Sequence, residues 1–217
     1  MVHEAAVGLL AIVLAGATGA QASESVAPEA PSFELARDAN EIGIWGGGAL
    51  SVSTIGGLDR AETEGRRVGL LSFRYGRVLL RREMFALEYI ADLIPFAVET
   101  NTIVLADDGS GAFVRRTAYG AGMAPLGGRI VFRPGSRVKP FIGASGGFLL
   151  FNEAVPLPRA NKFAWTGDAE AGVQIWTERR SSFTLGLRFH HISNANAGAV
   201  NPGLNAFLFF AGFSVFR

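Results

Sequence analysis

From Phe163 to Ile175 the chain alternates. Phe163, Trp165, Ala169, Ala171, Val173 and Ile175 are apolar, and Thr166, Asp168, Glu170 and Gln174 fall between them. Phe183, Leu185, Leu187 and Phe189 alternate in the same way with Thr184, Arg188 and His190, and Phe85, Leu87, Tyr89, Ala91 and Leu93 alternate with Glu88 and Asp92. A period of two puts each set on its own face of a β-strand. Eight apolar segments read as strands, near residues 39–53, 66–80, 84–97, 118–133, 138–152, 163–177, 182–194 and 205–216. Each exceeds the typical strand of about five or six residues. A tilted strand crosses hydrocarbon in about 9–11 residues, so every segment is long enough. Segments 39–53, 118–133 and 138–152 are rich in glycine and alternate less cleanly.

The connections differ systematically in length. Arg81-Arg82-Glu83, Pro134-Gly135-Ser136-Arg137 and Glu178-Arg179-Arg180-Ser181 are tight polar turns. The stretches between them, Thr54 to Gly65, Val98 to Ala118, Glu153 to Lys162 and Ala195 to Leu204, are long. Short turns at one rim and long loops at the other predict an all-β fold, an eight-stranded antiparallel up-and-down transmembrane β-barrel. An even number of strands places both ends of the barrel at the short-turn, periplasmic rim. Parity alone leaves the sense of the wall open, because a soluble barrel would turn the apolar set inward.

Composition narrows the choice. The 217 residues are 49% hydrophobic and only 18% charged, with 28 glycines, 17 phenylalanines and no cysteine. Such a chain suits one small barrel without disulfides. The apolar run Ala5 to Ala17 falls short of the roughly 20 residues of a transmembrane helix. It leads into Ala20-Gln21-Ala22, a cleavage-site pattern, so residues 1–22 are expected to be a signal peptide, although Met1 to Glu4 carry no Lys or Arg. A buried N-terminal helix is the alternative for that stretch. Residues 23–38, beginning with a Ser-, Pro-, Ala- and Glu-rich run, are expected to be an unstructured lead-in, and 39–217 the barrel. Export and strand length favour the transmembrane sense. Arg74, Glu88, Asp92, Asp168, Glu170, Arg188 and His190 then face a narrow lumen as a paired polar core, with a lumenal ion path as the alternative. A net charge of +1 argues against a nucleic-acid partner.

The chemistry concentrates near the C-terminus. His191 and Ser193 continue the series Phe183, Leu185, Leu187, Phe189, and Asn205 belongs with Phe207 and Phe209. All three are therefore expected on the lipid-facing wall at the long-loop rim. Residues i and i+2 on one strand face lie roughly 6–7 Å apart, near enough for an imidazole to approach a hydroxyl. Hydrogen bonding to lipid headgroups or loop backbone explains the same residues without catalysis. Arg66, Arg67, Arg115, Arg116, Arg159 and Lys162 are candidates for pairing with lipid phosphates, although the short turns are equally basic. The chain has three histidines, one of them in the expected signal, so no metal-ligand spacing and no cofactor motif is expected.

The order His191-x-Ser193-Asn194, then Asn201-x-Gly203 and a Phe-rich final strand, resembles the C-terminal signature of the PagL-type lipid A 3-O-deacylases, acyloxyacyl hydrolase-like outer-membrane barrels. The motif spans roughly 30 residues, and elsewhere the resemblance is one of architecture. It implies a bacterial outer-membrane esterase acting on lipid A, lipopolysaccharide or another outer-leaflet lipid. Ser193 would be the nucleophile and His191 its base, with Asn194 at the oxyanion and Asn201 and Gly203 positioning the loop. The family's acidic residue falls on Asn205, a departure, since an amide orients an imidazole without supplying charge. The competing expectation is a structural or lipid-binding barrel that has lost its acid. Homo-oligomerisation is left open.

Overall fold

The computed structural model describes residues 33–49, 52–53 and 64–217. The expected signal peptide and the lead-in as far as residue 32 lie outside the described residues.

Eight long strands follow in order: β1 (Asn40–Ala49), β2 (Arg67–Arg81), β3 (Phe85–Leu105), β4 (Phe113–Phe132), β5 (Val138–Val155), β6 (Asn161–Trp176), β7 (Ser181–Ser193) and β8 (Leu204–Phe216). Each pairs antiparallel with the next, and β1 pairs with β8 from Glu41↔Phe216 to Gly48↔Phe209, which closes the sheet into a barrel. Beyond Ala49 a short run, Val52–Ser53, also lies against β8, at Ala206 and Asn205. Closure is completed at the short-turn rim, where Asn40 and Arg217 exchange backbone hydrogen bonds of 2.7 and 2.9 Å. No described helix is long and apolar enough to cross a membrane.

The three tight turns fall where their polar residues predict. The long connection expected over 98–118 is instead mostly strand. β3 runs on to Leu105 and β4 starts at Phe113, so a paired hairpin rises past the rim with only 106–112 as its loop. Thr102 and Val104 face inward against Arg116 and Val114, which keeps the period of two. What hides it in sequence is the polar break Glu99-Thr100-Asn101. There the register shifts, and Asn101 adopts a positive φ of 58°.

Exposure settles the sense of the wall. Leu187, Phe207 and Phe209 are 58–69% exposed, whereas Arg188 and His190 between and beside them are buried. A continuous apolar exterior of this kind belongs in lipid. Inside, Arg74 holds Asp92 at 2.8 Å and Glu170 at 3.2 Å, and Arg129 reaches Glu170 at 3.2 Å and Glu41 and Glu88 at 3.5 Å. Arg188 pairs with Glu170 and lies 4.0 Å over the Trp45 ring, while His190 meets Asp168 at 2.7 Å. All seven lumenal residues expected from alternation are buried. Glu41, Glu99, Arg129 and Lys139 join them. Mutual pairing offsets the cost of removing so many charges from water.

The described end of the lead-in, 33–38, is packed rather than free. Leu35 is buried and donates its N–H to Pro134 O, and Lys139 Nζ donates to Phe33 O at 2.6 Å while lying 4.2 Å over Trp176. These residues cover the short-turn mouth of the barrel.

Candidate active site

β7 and β8 carry the site because their register sets two outward positions side by side. His191 is the direct cross-strand partner of Asn205. Both belong to outward series, yet Asn205 is buried, flanked by His191 on β7 and by Ser53 on its other side. His191 Nδ1 and Asn205 Oδ1 are 2.7 Å apart. An amide oxygen only accepts, so Nδ1 carries the proton and the basic lone pair is on Nε2. The ring also rests on the backbone of Gly203, whose φ is +62°, and a Cβ there would lie 3.1 Å from His191 Cε1. Asn205 and Gly203 together fix tautomer and ring position.

Ser193 ends β7 opposite Trp165. Its Oγ accepts from Ala195 N at 3.2 Å and from Asn201 Nδ2 at 3.0 Å, and lies 3.2 Å from Asn201 Oδ1, to which the hydroxyl can donate. Among the described residues no hydrogen bond joins the hydroxyl to His191, so Asn201 holds its proton in the resting site. The tight turn after Ser193 supplies the Ala195 donor. Ala195 and Asn196 have φ of 50° and 64°, and Ala197 N bonds Asn194 O at 3.0 Å, closing a turn of the I′ kind. Asn tolerates this conformation and Ala strains in it, by about 1–2 kcal/mol.

Both amides of the loop brace it, and Asn201 Nδ2 donates to Asn196 Oδ1 at 3.3 Å as well as reaching Ser193. Asn194 is buried, its Nδ2 donating to Val200 O at 2.8 Å and its Oδ1 accepting Asn196 N at 3.0 Å, so its side chain staples the loop. Asn201 is the amide at the hydroxyl. Asn194 contributes its backbone N–H, which lies 3.1 Å from Asn201 Oδ1. Two residues outside the motif also shape the site. Gly167, opposite His191, leaves open space beside the ring, since a Cβ there would touch nothing. Trp165 is 52% exposed and packs edge-on against Phe163 at 5.1 Å, flanking Ser193 with an aromatic wall. Strand pairing could have pointed to both, once register was known.

The family described as PagL, lipid A 3-O-deacylase, matches residues 99–214. The chain belongs to this family. The match runs from the upper part of β3 into β8 and so contains every motif residue above. Among solved structures, the outer membrane enzyme PagL is similar over 79% of this chain and 97% of that one, at 16% identity and a TM-score of 0.51. Neisserial surface protein A (12%, TM-score 0.47, 82% and 97% covered) and OprG from Pseudomonas aeruginosa (12%, 0.46, 85% and 97%) are further barrels of similar outline. At these identities the likeness is one of fold. No curated protein sequence matches the chain. Membership of the PagL family and the barrel together place the protein in the bacterial outer membrane, in a family of lipid A deacylases.

The expected phosphate partners separate. Arg66 must be withdrawn: it is fully buried, pairs with Glu99 and donates to Pro156 O at 2.9 Å. It precedes β2 on the same inward parity as Val68 and Leu70. Arg116 is tied to Asp107 at 2.6 Å, and Arg115 donates to Asn101 O at 3.2 Å. Arg67, Arg159 and Lys162 are exposed, with Lys162 three residues before Trp165 on β6. No group of described residues is arranged to hold a metal ion.

Proposed function

We propose that this protein hydrolyses an ester-linked acyl chain of lipid A, with Ser193 as nucleophile and His191 as general base. The observation that carries the reading is the 2.7 Å His191–Asn205 contact, which presents a basic Nε2 on the strand face that bears Ser193. On substrate binding the hydroxyl turns from Asn201 to the imidazole, and Oγ attacks the ester carbonyl as its proton passes to Nε2. Negative charge develops on the ester carbonyl oxygen, and the Asn201 Nδ2 and Ala195 N–H groups, which hydrogen-bond Oγ before attack, are the donors that would turn to it. Collapse expels the sugar alkoxide, which takes the proton from Nε2. Water, deprotonated by the same nitrogen, then cleaves the acyl-enzyme and releases the fatty acid. The substrate reaches the site laterally. Exposed Trp165 and Phe207 flank it on the lipid side, and Arg67 and Lys162 are available to headgroup phosphates.

A second reading, a lipid-binding barrel without turnover, is favoured by the amide at 205 and by the Ser193 proton resting on Asn201. Mass spectrometry of lipid A from cells expressing wild type or Ser193→Ala separates the two. The hydrolase reading expects one acyl chain missing in wild type alone, and identical intact lipid A in both samples would sink it.

A further inference from the structure

Between the β3–β4 hairpin, the β5–β6 connection and the β7–β8 loop lies a cavity of about 290 Å³, lined by Ile103, Phe113, Leu157, Pro158, Arg159 and Val200. Five of these six residues are apolar, and Arg159 is the one charge. Its side chain is exposed, and among the described residues no carboxylate pairs with it. Such a lining does not fit a sugar, which would need several convergent polar groups. It fits an amphiphile with an anionic end.

The cavity adjoins the loop that carries the candidate active site. Val200 O accepts the Asn194 amide that staples the Ser193 loop, at 2.8 Å. Gly198 of the same loop abuts the β5–β6 connection, where a Cβ would lie 3.2 Å from the carbonyl carbon of Ala160. The space is large enough to take an alkyl chain of medium length.

We propose that this cavity binds the anion of a medium-chain fatty acid, with the chain against Ile103, Phe113, Leu157 and Val200 and the carboxylate on Arg159. The assignment rests on the hydrolase reading for its source, since a fatty acid is the product that the adjacent site would release.

The test uses the full chain carrying Ser193→Ala, in phospholipid nanodiscs, titrated with carboxyl-labelled decanoate and followed by carbon-13 NMR, with empty nanodiscs subtracted. Decanoate is expected to bind saturably. Arg159→Gln and Ile103→Trp, which removes the charge or fills the space, should each raise Kd about tenfold or more, the loss of a charged hydrogen bond or of the volume. Arg159→Lys should restore most of the affinity, showing that the barrel and cavity survive substitution. Binding no greater than in empty nanodiscs, or Kd unchanged in both variants, overturns the proposal. Tighter binding of decyl phosphate than of decanoate would also overturn it, giving the cavity to lipid phosphates. Because Ser193→Ala does not turn over, the site and the reaction are judged apart: decanoate binding alongside intact lipid A in wild-type cells upholds the site and removes the hydrolase reading.

Discussion

Asn205 sits where its family resemblance implies an acid, and the geometry shows what the exchange keeps and loses. The amide fixes the tautomer through its 2.7 Å contact with His191 Nδ1 but offers no charge to the imidazolium that forms during attack. In a serine protease the same exchange costs about 10⁴ in rate, whereas papain-like enzymes work with Asn. Asn205→Glu is therefore expected to raise kcat by about tenfold or more, and Asn205→Leu to lower it by removing the orienting acceptor. Turnover that ignored both changes in folded protein would show that position 205 does not act through His191. Gly203→Ala makes a companion test. It forces a Cβ to 3.1 Å from the imidazole at a φ of +62°, so kcat should fall while the folded, heat-modifiable band on gels persists. At this scale the sequence was readable wherever strand parity governs: His191 and Ser193 follow Phe189 on β7, Asn205 precedes Phe207 on β8, and the register sets His191 directly opposite Asn205. The contacts of Asn194 and Asn201 are not legible in the sequence, because they depend on the loop's left-handed turn at Ala195 and Asn196, which no periodicity encodes.

The elements tell the same story of periodicity and its interruptions. β6 and β7 announce themselves because nearly every position is decidedly apolar or polar. β4 and β5 are read as strands but alternate less cleanly, because glycine counts for neither. Their glycines answer to contact instead. A Cβ at Gly147 would lie 2.0 Å from Met123 O, and one at Gly122 would lie 2.0 Å from Phe148 O, beside the shift in register between Met123 and Leu126. Gly147→Val should accordingly prise β4 from β5 and abolish the heat-modifiable folded form, and a normally folded variant would refute this account of the glycine. The upper hairpin was missed for a related reason, since Glu99 and Asn101 look like loop residues. Glu99 is in fact a buried partner of Arg66. Removing one member of a buried pair costs about 3–5 kcal/mol, so Glu99→Ala should lower the urea midpoint of the barrel in liposomes, and Glu99→Ala with Arg66→Met should recover most of the loss.

For the molecule as a whole, the wall is lipid-facing and the lumen is a packed electrolyte. A substitution that would be harmless on a soluble protein is therefore expected to be costly here. Leu187→Arg, at a 58% exposed position on β7, should destabilise the barrel by about 2–4 kcal/mol in bilayers if it lies near the midplane, measured by reversible unfolding. A shift smaller than experimental error would argue that this face does not meet hydrocarbon.

The pairing of β1 with β8 bears on the order of events during assembly. The residues proposed for catalysis all lie in the final hairpin, and that hairpin is also the seam. Until β8 is in place the sheet has two raw edges and the imidazole has no Asn205 to set its tautomer. The proposed site needs β8 paired with β7, because His191 and Asn205 meet across that hairpin, whereas closure needs β8 paired with β1. Appearance of ester cleavage during refolding into liposomes is then expected to track formation of the β7–β8 hairpin, measured beside closure of the β1–β8 seam.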